Sequence, residues 1–155
     1  MKIATQLGLL LVGMSLLVPG IAAKDPKIDA IKARQAEMQL RNFNLGPLFA
    51  MAKGKIDYDA ELASTLAGNL KLMLDLDNGR AWAQGTDTEA YPGKTAALPE
   101  VWTTYPEIGK YGKKFATAVN EMAAVAGGGV DALKSKIGPV GKSCKGCHDE
   151  FREKE

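Results

Sequence analysis

Both cysteines of the chain and its single histidine lie within five consecutive residues, Cys144-Lys145-Gly146-Cys147-His148. Two cysteines cannot build a disulfide framework, and one histidine excludes a histidine-rich metal site. A Ser-His-Asp triad would have to use that same histidine. The chemistry of this 155-residue chain is therefore expected to centre on one short segment.

The composition indicates one globular domain. Hydrophobic residues make up 46% and charged residues 25% of the chain, which argues against general disorder. The formal net charge is only +2. Such a weak surplus gives no reason to expect nucleic acid as a partner.

The first 23 residues have the order of a secretory signal peptide. Lys2 supplies a basic start, residues 7–18 are apolar and uncharged, and small residues such as Ala23 suit a cleavage site. The apolar run is too short for the roughly 20 residues that a membrane-spanning helix needs. We therefore predict a signal peptide over 1–23, and an exported domain over 24–155 that works in the periplasm without a membrane anchor.

Apolar residues of the exported part recur every three or four positions, which indicates amphipathic helices. A first helix is predicted to start at Asp25-Pro26, with the aspartate as N-cap and the proline at the first helical position. Pro47 ends or kinks this helix, and the apolar residues after it favour continuation to Gly54. Asp57 or Asp59 is predicted to cap a second helix. Its buried stripe is expected to hold Leu62, Leu66, Leu70 and Met73.

Residues 78–99 contain five glycines and prolines, so we predict a long loop that is functional or mobile. A third helix is predicted to follow and to end at the glycine run 127–129. Asp131 is predicted to cap a fourth helix, and no alternating strand pattern competes. These patterns predict an all-α fold, an antiparallel four-helix bundle. One face of the fourth helix carries Leu133, Ile137, Val140, Cys144, Cys147 and Phe151.

The C-x-x-C-H spacing is the signature of covalent c-type haem attachment. Because residues three and four apart share one helix face, Cys144 and Cys147 can bond the two vinyl groups of a haem while His148 binds its iron. A thioredoxin-type site would need a βαβ context, and a zinc site would need a second pair of ligands. A structural disulfide is the remaining alternative. We predict one haem c, joined through Cys144 and Cys147.

With these features the sequence resembles the cytochrome c prime family, the class II c-type cytochromes. The resemblance lies in the signal peptide, the four helices and the attachment motif on the last helix, followed by Phe151-Arg152. Arg34-Gln35 on the first helix and the run 138–141 before the motif also match. The resemblance covers nearly all of the chain after the signal peptide, and it implies a bundle with one covalent haem.

The family that the sequence resembles has two functional branches. In one branch the iron has five ligands, an apolar side chain of the first helix covers the sixth position, and the protein binds nitric oxide and carbon monoxide. In the other branch a methionine of the first helix is the sixth ligand. Met38, four residues beyond Arg34, matches that position, so the resemblance implies Met38 as an iron ligand opposite His148. The alternative is that Met38 is ordinary core packing.

The resemblance also implies roles for two arginines. Arg34 is similar to the family arginine near a haem propionate, and Arg152 is similar to the one near the iron-binding histidine. The alternative for both is a solvated surface charge.

We therefore predict a periplasmic electron carrier, not an enzyme, in which His148 and Met38 ligate the haem iron. Its partners would be redox proteins of the periplasm, and the resemblance leaves a homodimer open. The alternative function is a five-coordinate protein that binds nitric oxide or carbon monoxide.

Overall fold

The structure is a computed structural model and describes residues 24–154. The predicted all-α fold is confirmed: within these residues the only extended pairing is an isolated bridge between Ala97 and Arg152. The predicted signal peptide lies outside the described residues. The helices are α1 (Pro26–Ala52), α2 (Ala60–Leu72), α3 (Glu100–Thr103), α4 (Glu107–Ala123) and α5 (Val130–Phe151), with 3-10 turns at Met73–Asp75 and Gly79–Trp82.

Four of these helices, α1, α2, α4 and α5, form a bundle. Helices α1 and α4 lie on opposite sides of it, and each packs against both α2 and α5. Short connections over 53–59 and 124–129 make α1 antiparallel to α2, and α4 antiparallel to α5. Among the core residues are Leu45, Leu48, Met51, Ala63, Leu66, Ala67, Leu70, Phe115, Val119, Met122, Leu133, Ile137 and Val140.

The predicted starts of the first two helices are confirmed. The Asp25 carboxylate accepts a hydrogen bond of 2.9 Å from the Lys27 amide. The Asp59 carboxylate accepts one, also of 2.9 Å, from the Leu62 amide. Helix α1 continues through Pro47, as the apolar residues after it favoured.

Two local predictions are wrong. Asp131 does not cap α5, because the residue before Val130 is Gly129, whose φ of 117° suits glycine and leaves Asp131 inside the first turn. Leu62 is 41% exposed, since the buried stripe of α2 passes through Ala63 instead.

One end of the bundle, which we call the closed end, holds the connections 53–59 and 124–129. The Tyr58 hydroxyl donates to the Ala126 carbonyl oxygen at 2.7 Å and accepts from the Gly129 amide at 3.0 Å. A Cβ atom at Gly127 would lie 2.1 Å from the Ser64 hydroxyl oxygen. Such an atom would also lie 3.3 Å from the Ala60 carbonyl oxygen, so the backbone at Gly127 packs closely against the start of α2.

The long loop predicted over 78–99 is held against the bundle by several hydrogen bonds. Arg34 of α1 is only 4% exposed and donates to three loop residues, at 3.0 Å to the Ala81 carbonyl oxygen and to Thr86 Oγ1, and at 2.9 Å to the Thr86 carbonyl oxygen and Thr95 Oγ1. Near the end of the loop, the Leu98 amide donates to the carbonyl oxygen of Phe151 at 3.0 Å. The loop thereby forms one side of the opposite end of the bundle, which we call the open end.

Candidate haem-binding site

The three residues of the motif meet at one cavity. Cys144, Cys147 and His148 project from the last two turns of α5 and line a cavity of about 720 Å³. Both cysteines are half-buried free thiols. The helix therefore presents two sulfur nucleophiles and one imidazole to the same space, as the spacing predicts.

The other walls of this cavity come from three parts of the chain. Helix α1 contributes Met38 and Arg41, helix α4 contributes Phe115, and the segment between the bundle helices contributes Trp82 and Trp102. An adjoining cavity of about 600 Å³ shares Met38, Trp82, Cys147 and His148 with the first. This second cavity is more polar, because it also holds Arg34, Gln35, Gln39 and Arg152.

Burial controls the protonation of the motif. It raises the pKa of the Cys144 and Cys147 thiols, and the nearby Arg41 guanidinium opposes that rise. Burial lowers the pKa of His148, and the positive charge of Arg152 lowers it further. The imidazole is therefore held neutral near pH 7, which leaves a nitrogen lone pair free to bind a metal.

The residues present fit a haem better than a bare metal ion. Among the described residues, no cluster of three or more histidine, cysteine, aspartate or glutamate side chains is placed to hold a metal ion. The first cavity instead offers a large, mainly apolar space between aromatic side chains. The second cavity supplies cations for a ligand that carries carboxylates. An apolar macrocycle with two vinyl groups, a central iron and two propionates matches this set of donors.

A helical bundle whose last helix carries C-x-x-C-H into a cavity of this kind defines a c-type haem protein. The family model described as cytochrome c' matches residues 29–152. The chain therefore belongs to the cytochrome c' family, whose members bind haem c covalently, as predicted. The cytochrome c' of Cereibacter sphaeroides is 34% identical over 145 residues, which cover 94% of this chain and 97% of that protein.

Solved structures agree with this assignment. The cytochrome c' from Rhodobacter spheriodes superposes with a TM-score of 0.81 at 35% identity, covering 85% of this chain and 100% of that one. The protein from Alcaligenes xylosoxidans, at a TM-score of 0.72, covers 83% of this chain and 97% of its own in a ferrous variant with bound nitric oxide, at 29% identity. A carbon-monoxide-bound variant, at 30% identity, covers 84% and 98% at a TM-score of 0.72.

Another cytochrome c' structure was described for an unusual ligand-controlled dimer dissociation. It has a TM-score of 0.75 and 30% identity, and it covers 86% of this chain and 100% of that one.

These relatives correct the predicted function. They are cytochromes c', and variants of the Alcaligenes protein have been solved with bound nitric oxide and with bound carbon monoxide. A diatomic gas needs a coordination position that no strong protein ligand holds. The prediction of an electron carrier whose iron is held by both His148 and Met38 is therefore wrong. The comparisons favour the alternative, in which the iron has five ligands.

The other predicted site residues, Met38, Arg34 and Arg152, differ in how they line the two cavities. Met38 lines both cavities from α1, beside the wall formed by α5. Arg152 lines the second cavity. Arg34 lines it too, but its two terminal nitrogens already make four hydrogen bonds to the long loop. Contacts of Arg34 and Arg152 with a haem propionate stay predictions.

Sequence reasoning missed one charged group of the first cavity. Arg41 lines this cavity and forms an ion pair with Glu37, one helical turn earlier. The signal was visible as an acidic and a basic residue four positions apart, on the stripe that carries Met38.

Proposed function

We propose that this chain is an exported haem protein that binds nitric oxide or carbon monoxide at the sixth position of a five-coordinate iron. The observation that carries the proposal is the main cavity, in which Cys144, Cys147 and His148 of α5 share one mainly apolar space with Met38 of α1. The gas complexes of the Alcaligenes relative support the same reading. The proposed role is ligand binding, not turnover of a substrate.

Each motif residue has a distinct task in this proposal. Cys144 and Cys147 form thioethers that keep the cofactor on α5, and the neutral imidazole of His148 binds the iron from the same helix. A haem c bound there supplies a ferrous iron that accepts a neutral diatomic ligand. Met38 lines the wall contributed by α1 and covers the sixth position as an apolar side chain rather than as a ligand.

The polar cavity is the proposed place of the haem propionates. Arg152 lines that cavity, and the proposal gives it a charge-assisted hydrogen bond to a carboxylate. Arg34 has most of its donors committed to the loop, so its contribution is mainly its buried positive charge.

The proposal places the protein in the periplasm, because residues 1–23 have the pattern of a signal peptide. Between residues 24 and 154, none of the helices is both long and apolar enough to cross a membrane. An iron that changes oxidation state also needs redox partner proteins in that compartment.

We also propose a homodimer through α1 and α2. These helices expose large apolar side chains, with Phe43 at 73%, Leu72 at 67%, Leu40 at 49% and Leu62 at 41%. Exposed apolar surface of this kind is typical of an interface. Phe43→Asp should shift the sedimentation of the haem-loaded protein from dimer to monomer. Ile56→Asp, which changes an exposed residue of the 53–59 connection, serves as the control and should leave the dimer intact.

The ligation state is tested by absorption spectra of the haem-loaded protein, first reduced and then reduced under carbon monoxide. We expect a broad reduced spectrum that shifts when carbon monoxide is added. Met38→Leu should keep this spectrum, because Met38 covers the iron without binding it. Met38→Ala removes the cover, so carbon monoxide should bind about tenfold more tightly.

Three results would contradict the proposal. They are sharp reduced bands without a carbon monoxide shift, a thioether-to-iron band in the ferric spectrum, and loss of that band in Met38→Leu.

A further inference from the structure

A third concave site lies on the outside of the bundle, between α4 and α5. It is a groove of about 590 Å³, and Lys113 and Lys114 of α4 line it together with Lys142 of α5. All three lysines are exposed. We call this site the lysine groove, and it presents three ammonium groups to the solvent.

The positive charge of the lysine groove is not cancelled by acidic neighbours. Within the described residues, none of the ion pairs involves any of the three lysines. The Lys114 ammonium lies 5.4 Å from the centre of the neutral Tyr111 ring, so this contact leaves its charge in place. Glu121 also lines the groove, but its carboxylate is paired with Lys136 at 3.0 Å. The groove is therefore a local cationic surface on a chain whose net charge is only +2.

The lysine groove shares a wall with the main cavity. Tyr111 and Ser143 line both of them. Gly146, which stands between Cys144 and Cys147, lines the groove from the attachment motif itself. A Cβ atom on Gly146 would lie 3.4 Å from the Tyr111 ring, so the motif and this ring are close neighbours. A molecule seated in the groove is thus one layer of residues away from the proposed haem.

We propose that the lysine groove is the docking surface for an acidic redox protein that delivers electrons to the haem. The inference rests on the proposed haem function, because gas binding needs ferrous iron and the ferrous state must be renewed. In each transfer the reduced partner loses one electron and the ferric iron becomes ferrous, and no bond forms or breaks.

Electrostatic complementarity is the reason for an acidic partner. A patch of one sign attracts a surface of the other sign and raises the rate of productive encounters. Electron transfer also slows steeply with distance, so docking next to the attachment motif favours it. The patch ends towards the C-terminus of α5, where Lys145 is paired with Asp149 and Glu150 follows.

The test uses a reduced flavodoxin as the probe, a small acidic protein whose flavin hydroquinone gives up one electron. It is mixed in a stopped-flow instrument with the ferric, haem-loaded protein, and haem absorbance reports the reduction. The groove variant combines Lys113→Gln, Lys114→Gln and Lys142→Gln. At low ionic strength its bimolecular rate constant should be about tenfold below that of the unmodified protein. High salt should remove most of this difference, because salt screens exposed charges.

A control variant removes the same charge elsewhere. It combines Lys53→Gln, Lys55→Gln and Lys134→Gln, which are exposed positions near the closed end and line neither the lysine groove nor the two cavities. Its rate constant with flavodoxin should change by less than about twofold. Dithionite reduces haem through a small ion that needs no docking surface, so both triple variants should react with it within about twofold of each other. This second reductant separates docking from a changed reduction potential.

Three results would overturn the inference. The first is an equal rate with flavodoxin for the groove and control variants. The second is loss of the lysine effect when phosphate is added at constant ionic strength, which would mean that the groove holds a small anion. The third is a groove variant that sediments as a monomer beside a dimeric control variant, which would assign the groove to contacts between copies of this chain.

The proposed function fails in a different way. If the dithionite-reduced protein takes no carbon monoxide, gas binding is wrong, whatever rates flavodoxin shows. If it takes carbon monoxide while flavodoxin ignores the three lysines, only the docking surface is wrong.

Discussion

The two ends of the bundle are built on different principles. At the closed end, the small residues Gly127 and Ser64 let the connections pack tightly, and the Tyr58 hydroxyl joins the end of α4 to the start of α5. At the open end, aromatic side chains and arginines surround two cavities instead of filling them. The closed end is packed by the polypeptide alone, whereas the open end contains cavities that a cofactor can fill.

The largest expected effect comes from the open end. Cys144→Ser with Cys147→Ser removes both thioethers, so the protein should lose its haem under denaturing conditions and be several kcal/mol less stable, because the cavities lose their filling. Haem staining of a denaturing gel and thermal unfolding measure the two effects. Ser135→Ala, an exposed change on α5, is the control. Equal unfolding temperatures for both variants would show that the open end does not depend on its cofactor.

The next effect concerns the loop over the open end. Arg34→Met leaves Ala81, Thr86 and Thr95 without their buried donor, which should cost about 3 kcal/mol of unfolding free energy. Hydrogen exchange should rise in residues 79–98 far more than at the closed end. Arg80→Met is the matched exposed control. Uniform acceleration across the whole chain would mean that the two ends unfold as one unit.

A smaller effect tests the closed end. Tyr58→Phe removes the hydroxyl that bridges Ala126 and Gly129, so we expect a loss of about 1–2 kcal/mol in chemical denaturation. The loss should be the same with and without haem, because the closed end is formed by the chain alone. A loss of stability seen only in the haem-loaded protein would contradict the view that the closed end is stabilised independently of the cofactor.

The smallest effect lies at the start of α1, where the Tyr91 hydroxyl donates to the Asp25 carboxylate at 2.8 Å. This bond lowers the pKa of Asp25 and raises that of Tyr91. The Asp25 contribution to stability is therefore present above pH 3.8 and lost as the pH falls through its lowered pKa. The Tyr91 contribution is present below pH 10.0 and lost as the pH rises through its raised pKa.

Tyr91→Phe should remove the Tyr91 dependence from the curve of unfolding free energy against pH and reduce the Asp25 dependence, because the Lys27 amide still lowers the pKa of Asp25. Tyr105→Phe, at an exposed tyrosine, should preserve them. An unchanged curve in Tyr91→Phe would contradict the assignment.

The sequence predicts the helix boundaries better than it predicts the cavities of the open end. Asp25-Pro26, Asp59 and the glycine run 127–129 carry local signals, so the helix boundaries near them follow from a few residues each. The errors at Asp131 and Leu62 are shifts of two residues and one residue, which depend on backbone geometry and on the neighbour that a helix meets.

The open end depends on contacts between distant parts of the chain. The C-x-x-C-H spacing fixes the attachment residues, but a methionine at position 38 packs on a haem as readily as it binds iron. The Glu37–Arg41 pair is visible in the sequence, whereas its link to Asn78 joins residues 41 positions apart. The four bonds of Arg34 to the loop likewise span 47 to 61 positions.

Arg34 has a consequence for the oxidation state of any iron bound nearby. Its four acceptors are neutral oxygens, and its guanidinium also stacks 5.2 Å from the Trp82 ring and 5.7 Å from the Trp102 ring. These contacts satisfy its donors without cancelling its charge. A fixed cation in a poorly polarisable surrounding makes it harder to add positive charge to a neighbouring centre. The group that holds the loop would thereby also raise the reduction potential of an iron bound nearby and favour its ferrous form.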